Sequence, residues 1–235
     1  MITQLYKKLD SITALSPVKD NEVLIRNLAH RLLNEINQNE FSGLLISDKE
    51  VIRQRCLNCI RLLNIDIIMN SSAKDYVYET YNLTRLVSDT LTACGLLLCK
   101  TEVKLIFNYC TDVYIEFPLK LILPAIVGMV RIFCKPCTET EIFFSLKKGK
   151  RYTVLSAESV NINPDTVFNT NETLSLLRKT GELTSGAFLT AVKGSSVICA
   201  LSMENRKGNM KNIKYSPDYI ELLSDKMSEI HIGLS

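Results

Sequence analysis

The chain has 235 residues, of which 46% are hydrophobic and 23% are charged, and its formal net charge is +3. This composition is that of an ordinary folded protein with one large core or two small ones, and it excludes long disordered regions. The mild positive charge gives no support for nucleic-acid binding, which usually needs a concentrated basic face.

The sequence contains no predicted export signal or membrane span. No early apolar run has the basic start and small-residue cleavage site of a signal peptide. The longest apolar run, residues 119–133, is interrupted by Lys120, Pro124 and Arg131. We therefore expect a cytoplasmic protein that makes no membrane contact.

Among the eight cysteines, two pairs have the CxxC spacing, Cys56/Cys59 and Cys134/Cys137. Together they have enough thiolates for a structural zinc site. The first pair lies within a helical pattern, however, and the second follows a helix. We favour reduced thiols acting as small apolar residues, and we expect no metal.

Three helical patterns occupy the N-terminal third of the chain. The first forms an N-terminal segment of residues 1–18, which Pro17 interrupts. Amphipathic patterns follow at 19–38 and 47–69, with a short turn between them. Two such helices form a hairpin that cannot bury its apolar stripe alone. We expect residues 19–70 to pair with a second copy as a dimeric four-helix bundle.

Residues 76–235 alternate between strand and helix patterns, which predicts a sheet with helices on one face. The fold class is therefore α+β, a helical hairpin followed by an α/β sandwich. The predicted strands lie at 76–80, 103–109, 113–117, 141–146, 151–157, 196–203 and 212–215. One predicted helix starts at Asn82 and ends at Gly95. Further helices are predicted at 118–133, 163–168, 171–179, 185–192 and from Pro217 onward.

Over roughly residues 19–216 this succession resembles the core of sensor histidine kinases, a dimerisation hairpin followed by the ATPase domain shared with gyrase and the Hsp90 chaperone. The segment YNLTRLVSDTLTACGLLLCKTEVKLIF (81–107) resembles the first helix and following strand of that domain. VYIEFPLKLILPAIVGMVRIF (113–133) resembles the strand and long helix that carry the family's asparagine box, and ENRKGNMKNIKYSP (204–217) resembles its closing hairpin. The resemblance implies that residues 76–235 form one ATPase-type domain.

The family's ligand-holding residues are replaced in this chain. Asparagines on the long helix hold Mg²⁺ and phosphate oxygens in the family, and the resemblance puts Pro124 and Gly128 at their positions. The aspartate that receives the adenine amino group falls at Ala157, and the adjoining glycines fall at Ser159 and Asn161. The resemblance therefore implies a degenerate domain that binds no nucleotide cofactor.

One glycine remains in the region where the family has its later glycine-rich lid, Gly186. A single glycine is weak evidence for a phosphate-binding loop. It does not alter the expectation that the domain binds no ATP.

His30 is the one histidine on the predicted hairpin, and the family phosphorylates a histidine on the first hairpin helix. A phosphoacceptor is a solvent-facing nucleophile that often has an acidic neighbour. Here the next residue is Arg31, although Glu35 lies about a turn away. His30 is thus a candidate catalytic residue, and the alternative of a surface or interface histidine is favoured.

Three functions are consistent with these observations. The first is a catalytically degenerate, dimeric, kinase-like signalling protein that acts through contacts with a response regulator or another signalling protein. The second is a histidine phosphotransferase that relays a phosphoryl group through His30 to a response regulator. The third is an active but divergent sensor kinase.

Overall fold

The computed structural model describes residues 46–99, 101–109, 111–134, 140–160, 162, 164, 171–206, 212–225 and 228–234. Helices and strands are numbered in chain order within these described residues. The helices are α1 (Ile46–Asn70), α2 (Leu83–Leu97), α3 (Leu119–Arg131), α4 (Asn171–Leu183), α5 (Tyr219–Ser224) and α6 (Glu229–Gly233), with a 3₁₀ turn at Ala73–Asp75. The strands are β1 (Glu79–Asn82), β2 (Val103–Asn108), β3 (Tyr114–Phe117), β4 (Thr140–Lys148), β5 (Tyr152–Val160), β6 (Ala187–Lys193) and β7 (Ser196–Glu204).

The described residues fall into two compact units. One contains residues 46–67 and 231–233, and the other contains the described residues of 68–230 together with Leu234. The domain boundaries expected at 18, 70 and 76 stay predictions, because much of the N-terminal part lies outside the described residues.

Helix α1 agrees with the helix predicted at 47–69. Its buried residues include Ile52, Cys56, Ile60 and Leu63, a spacing of three or four that places them on one side of the helix. The helix expected at 19–38 lies outside the described residues, so the hairpin and its dimeric bundle stay predictions. In the part of the chain that the structure describes, no helix combines the length and apolar character needed to cross a bilayer.

A five-stranded mixed sheet forms the centre of the second unit, in the order β2-β4-β5-β7-β6. Strands β2 and β4 are parallel, and the other neighbours are antiparallel. Every second residue of β4, β5 and β7 is buried, so one face of the sheet packs against the core formed with α2, α3 and α4. This confirms the α+β class with helices on one face.

Helix α3 is the most completely buried element of this unit. It follows Pro118 and contains Pro124, and its remaining residues from Leu121 to Val130 are all buried. A helix that is apolar on every side belongs in a core, with neighbours all round. Helix α3 therefore lies in the core of the unit, where it contacts both α2 and α4.

Two predicted elements differ from the structure near the sheet edges. The helix predicted at 185–192 is wrong, because these residues form β6, which pairs with β7 through a turn at Gly194 with φ of 61°. The final strand predicted at 212–215 is reduced to a single bridge between Thr80 and Ile213. Whether each segment forms a strand depends on pairing with a neighbouring strand, and the local sequence contains no information on that pairing.

Two boundaries also moved. The strand predicted at 76–80 lies at 79–82, because its register with β3 pairs Glu79 with Phe117. Gly95 does not end α2, which continues to Leu97, although Asn82 caps its start as predicted by accepting a hydrogen bond from the Arg85 backbone N–H at 3.0 Å.

Two glycines allow a matched test of backbone packing. A Cβ on Gly186 would collide with the backbone carbonyl of Ser202, whereas a Cβ on Gly95 would meet nothing within 4 Å. We expect Gly186→Ala to lower the free energy of unfolding by about 2–3 kcal/mol. Gly95→Ala should raise it by about 0.5–1 kcal/mol, because alanine loses less backbone entropy in a helix. Urea unfolding followed by circular dichroism measures both, and equal effects would contradict the close approach at Gly186.

Candidate functional site

The space beside Gly128 is filled by side chains of α4. A Cβ on Gly128 would lie 3.2 Å from Thr173 Cγ2, 3.7 Å from Leu177 Cδ2 and 3.8 Å from Leu176 Cδ2. Gly128 itself is buried. Because the glycine has no side chain, α4 approaches α3 closely at the position where the family's second asparagine is expected.

Two further expected site positions lie on the buried face of β5. Ala157 has no exposed surface and pairs across the sheet with Phe144 and Cys199, which are also fully buried. Ser159 is buried, and its hydroxyl donates a hydrogen bond of 2.9 Å to the backbone carbonyl of Glu141. The first position offers no polar atom to a ligand, and the hydroxyl at the second already has an acceptor within the sheet.

Of the remaining expected site residues, two are described by the structure and two are not. Pro124 lies within α3 and is half-buried, and its ring supplies no hydrogen-bonding group. Gly186 lies in the turn after α4 and before β6, where the close approach of Ser202 explains the glycine. Asn161 and His30 lie outside the described residues.

Sequence reasoning missed a row of buried threonines, two on α4 and one, Thr184, directly after its end. Thr173, Thr180 and Thr184 recur at helical spacing and are all buried. The Thr184 hydroxyl donates to the Thr180 carbonyl at 2.8 Å, whereas the Thr180 hydroxyl has no hydrogen-bond partner in the described part of the chain. The spacing of seven and four residues was the sequence signal that this face packs inward.

The cysteines of the two CxxC pairs are buried or partly buried where they are described. Burial, and to a lesser extent the neighbouring Cys59, raises the pKa of Cys56 to about 12, and burial raises the pKa of Cys134 to about 12. Burial therefore keeps both thiols in the neutral form at ordinary pH. Among the described residues, no group of three or more His, Cys, Asp and Glu side chains is arranged to hold a metal ion. Cys137 lies outside those residues.

Sequence comparisons find no relatives: no family model matches the chain, and no curated protein matches it. Solved structures nevertheless share its fold. Full-length ShkA in complex with AMPPNP is 10% identical, with a TM-score of 0.63, and the match covers 81% of this chain and 46% of that one.

Two other histidine kinases are similar in the same way. ThkA in complex with the response regulator TrrA is 15% identical with a TM-score of 0.53, covering 86% of this chain and 65% of that one. AdeS from Acinetobacter baumannii is 14% identical with a TM-score of 0.51, covering 76% of this chain and 96% of that one. At these identities the similarity establishes the fold, and the chain has a histidine-kinase-like core.

The contact between α3 and α4 can be measured by a double-mutant cycle. Gly128→Ala adds a methyl group 3.2 Å from Thr173 Cγ2, and Thr173→Ser removes that carbon. We expect Gly128→Ala to be more favourable by about 1 kcal/mol in the Thr173→Ser background than in the wild type, because the overpacking is relieved. Chemical unfolding of the four proteins gives the coupling energy, and strictly additive effects would show that the two helices do not meet there.

Proposed function

We propose that this chain is a catalytically degenerate, histidine-kinase-like signalling protein that does not bind ATP in the family's mode and acts through contacts with other proteins. The observation that carries the proposal is the filled space at Gly128, where Thr173 lies against α3. The fold supports a kinase-like ancestry, and the side chains at the expected ligand positions argue against its usual chemistry.

The chemistry of the expected ligands supports the loss of ATP binding. Mg²⁺ takes oxygen ligands, yet helix α3 contains no Asn, Asp, Glu, Ser or Thr. Adenine recognition needs an acceptor where Ala157 lies between Phe144 and Cys199. A carboxylate placed there would be buried against apolar neighbours, at a large desolvation cost.

The exposed side of α1 supports a homodimer. Val51 is 45% exposed and Leu62 is 37% exposed, and eleven residues, close to three full turns, place them on the same side of the helix. Asn58 lies between them and accepts a hydrogen bond of 2.7 Å from Arg61. Apolar side chains on the exposed side of a helix are typical of a surface that packs on another helix, which supports dimerisation through the predicted hairpin of residues 19–70.

A response regulator is the partner class that the comparisons favour. ThkA, which shares the fold, is described in complex with a response regulator protein. We extend that partner class to this chain as part of the proposal, with another signalling protein as the alternative.

The second candidate is a histidine phosphotransferase. In it His30 takes a phosphoryl group from a response regulator and passes it to another, with the receiver supplying the Mg²⁺ and the aspartate. The lost ATP ligands favour this candidate over the third, an active but divergent kinase, because a phosphotransferase needs no nucleotide site.

Thermal unfolding with and without nucleotide tests the loss of ATP binding. A site with a Kd of about 10 µM would add about 2.7 kcal/mol of stability at about 1 mM Mg²⁺-ATP. For a domain of this size that corresponds to a Tm increase of roughly 5–10 °C. We expect no increase beyond that given by Mg²⁺ alone. A nucleotide-dependent increase of that size would overturn the proposal and favour the divergent kinase.

Incubation with a phosphorylated receiver domain separates the first two candidates. If the chain acts by contacts alone, it acquires no acid-labile phosphate. If it is a phosphotransferase, the label appears on the wild type and on His231→Ala but is lost in His30→Ala. His231 is the other histidine of the chain and therefore the matched control.

A further inference from the structure

The sheet face opposite α2, α3 and α4 has an unusual composition for a surface. We call it the outer face; it consists of the alternate residues of the five strands that do not pack into the core. Its central positions hold apolar or small side chains, among them Ile106, Phe143, Ser156, Leu189, Ile198 and Ala200. Leu189 is exposed and the others are half-buried. Sheet faces that reach solvent normally carry polar and charged side chains, and a contiguous apolar patch on such a face marks an interaction surface.

Charged residues of the outer face lie mainly at strand ends. Lys104 and Glu141 pair with each other at 3.1 Å near the start of β2 and β4. Glu204, the last residue of β7, pairs with Arg151 at 3.9 Å. These pairs form a polar rim around an uncharged centre, which is the arrangement found in protein interfaces.

Glu158 is the exception within that centre. It is half-buried on β5, and its cross-strand neighbours are Phe143 on one side and Ile198 on the other. No described residue forms a salt bridge with it. A carboxylate between two apolar side chains attracts a cation most strongly when apolar side chains also surround that cation. The ion pair is then shielded from water, which strengthens the electrostatic attraction.

Small side chains lie beside Glu158 on the outer face. Ser145, Ser156 and Ala200 lie in register across β4, β5 and β7, and the two serine hydroxyls bond each other at 2.8 Å. Leu189 continues this row on β6 and is 68% exposed. Five strands span roughly 24 Å, about the length of a 16-residue helix.

We propose that the outer face is the docking surface for one helix of a partner protein, whose apolar side carries a single lysine or arginine opposite Glu158. This rests on the proposed function, and it names the surface and the chemistry through which protein contacts are made. Two other occupants are disfavoured by Glu158. A second copy brings an identical carboxylate to the interface, and an anionic lipid surface repels it.

A designed peptide pair tests the proposal with the full chain. The probe is a fluorescein-labelled 16-residue amphipathic helix with a Leu/Ala side and one central Arg, and the matched peptide has Glu in place of that Arg. Fluorescence anisotropy should show saturable binding of the Arg peptide and weaker binding of the Glu peptide by about tenfold or more, because like charges oppose each other across an interface.

Three variants locate the binding. Glu158→Arg should reverse the preference between the peptides, and Glu158→Gln should abolish the preference while keeping the fold. Glu116→Arg is the control, since Glu116 is also a half-buried strand carboxylate but belongs to the separate β1–β3 sheet; it should leave both affinities unchanged.

Several results would overturn the proposal. They are absence of saturable binding, equal affinity for the two peptides, affinities that do not respond to Glu158→Arg, and self-association of the wild type that Glu158→Arg abolishes. None of these outcomes depends on nucleotide binding. The docking surface and the loss of ATP binding can therefore fail separately.

Discussion

Helix α3, which packs against α2 and α4 in the core over the buried face of the sheet, is the element around which the second unit is organised. Its apolar residues from Leu121 to Val130 join the core formed by α2, α4 and the buried faces of β4, β5 and β7. Burying such side chains contributes about 1.5–3 kcal/mol each. Pro124 and Gly128, which stand where the resemblance expects polar ligands, belong to this same packed helix.

Sequence periodicity was sufficient for most of this architecture. The apolar run at 119–133 and the helical pattern at 47–69 predicted α3 and α1 closely, because each pattern is long and each burial pattern is simple. β6 was missed because Ala187–Lys193 has no strict alternation, and its strand state comes from pairing with β7. Edge strands depend on a partner that a local window does not contain.

For the candidate site, too, the sequence predicted some features and missed others. The positions of Pro124, Gly128 and Ala157 followed from the resemblance, and the structure places the last two in the buried interior. The sequence did not indicate that Thr173 occupies the space beside Gly128, because that contact joins residues 45 positions apart. Contacts of this kind depend on how two helices cross, and crossing is set by the whole core.

The glycine at residue 128 also bears on how the protein can change over generations. Any larger side chain at this position meets Thr173 before it makes a new interaction, and an asparagine needs more room than a methyl group. An asparagine at 128 is therefore accommodated only together with a change on α4 that makes room for it. The packing of α4 on α3 therefore couples these two positions: the residue that fits at 128 depends on the residue at 173, and the two should vary together.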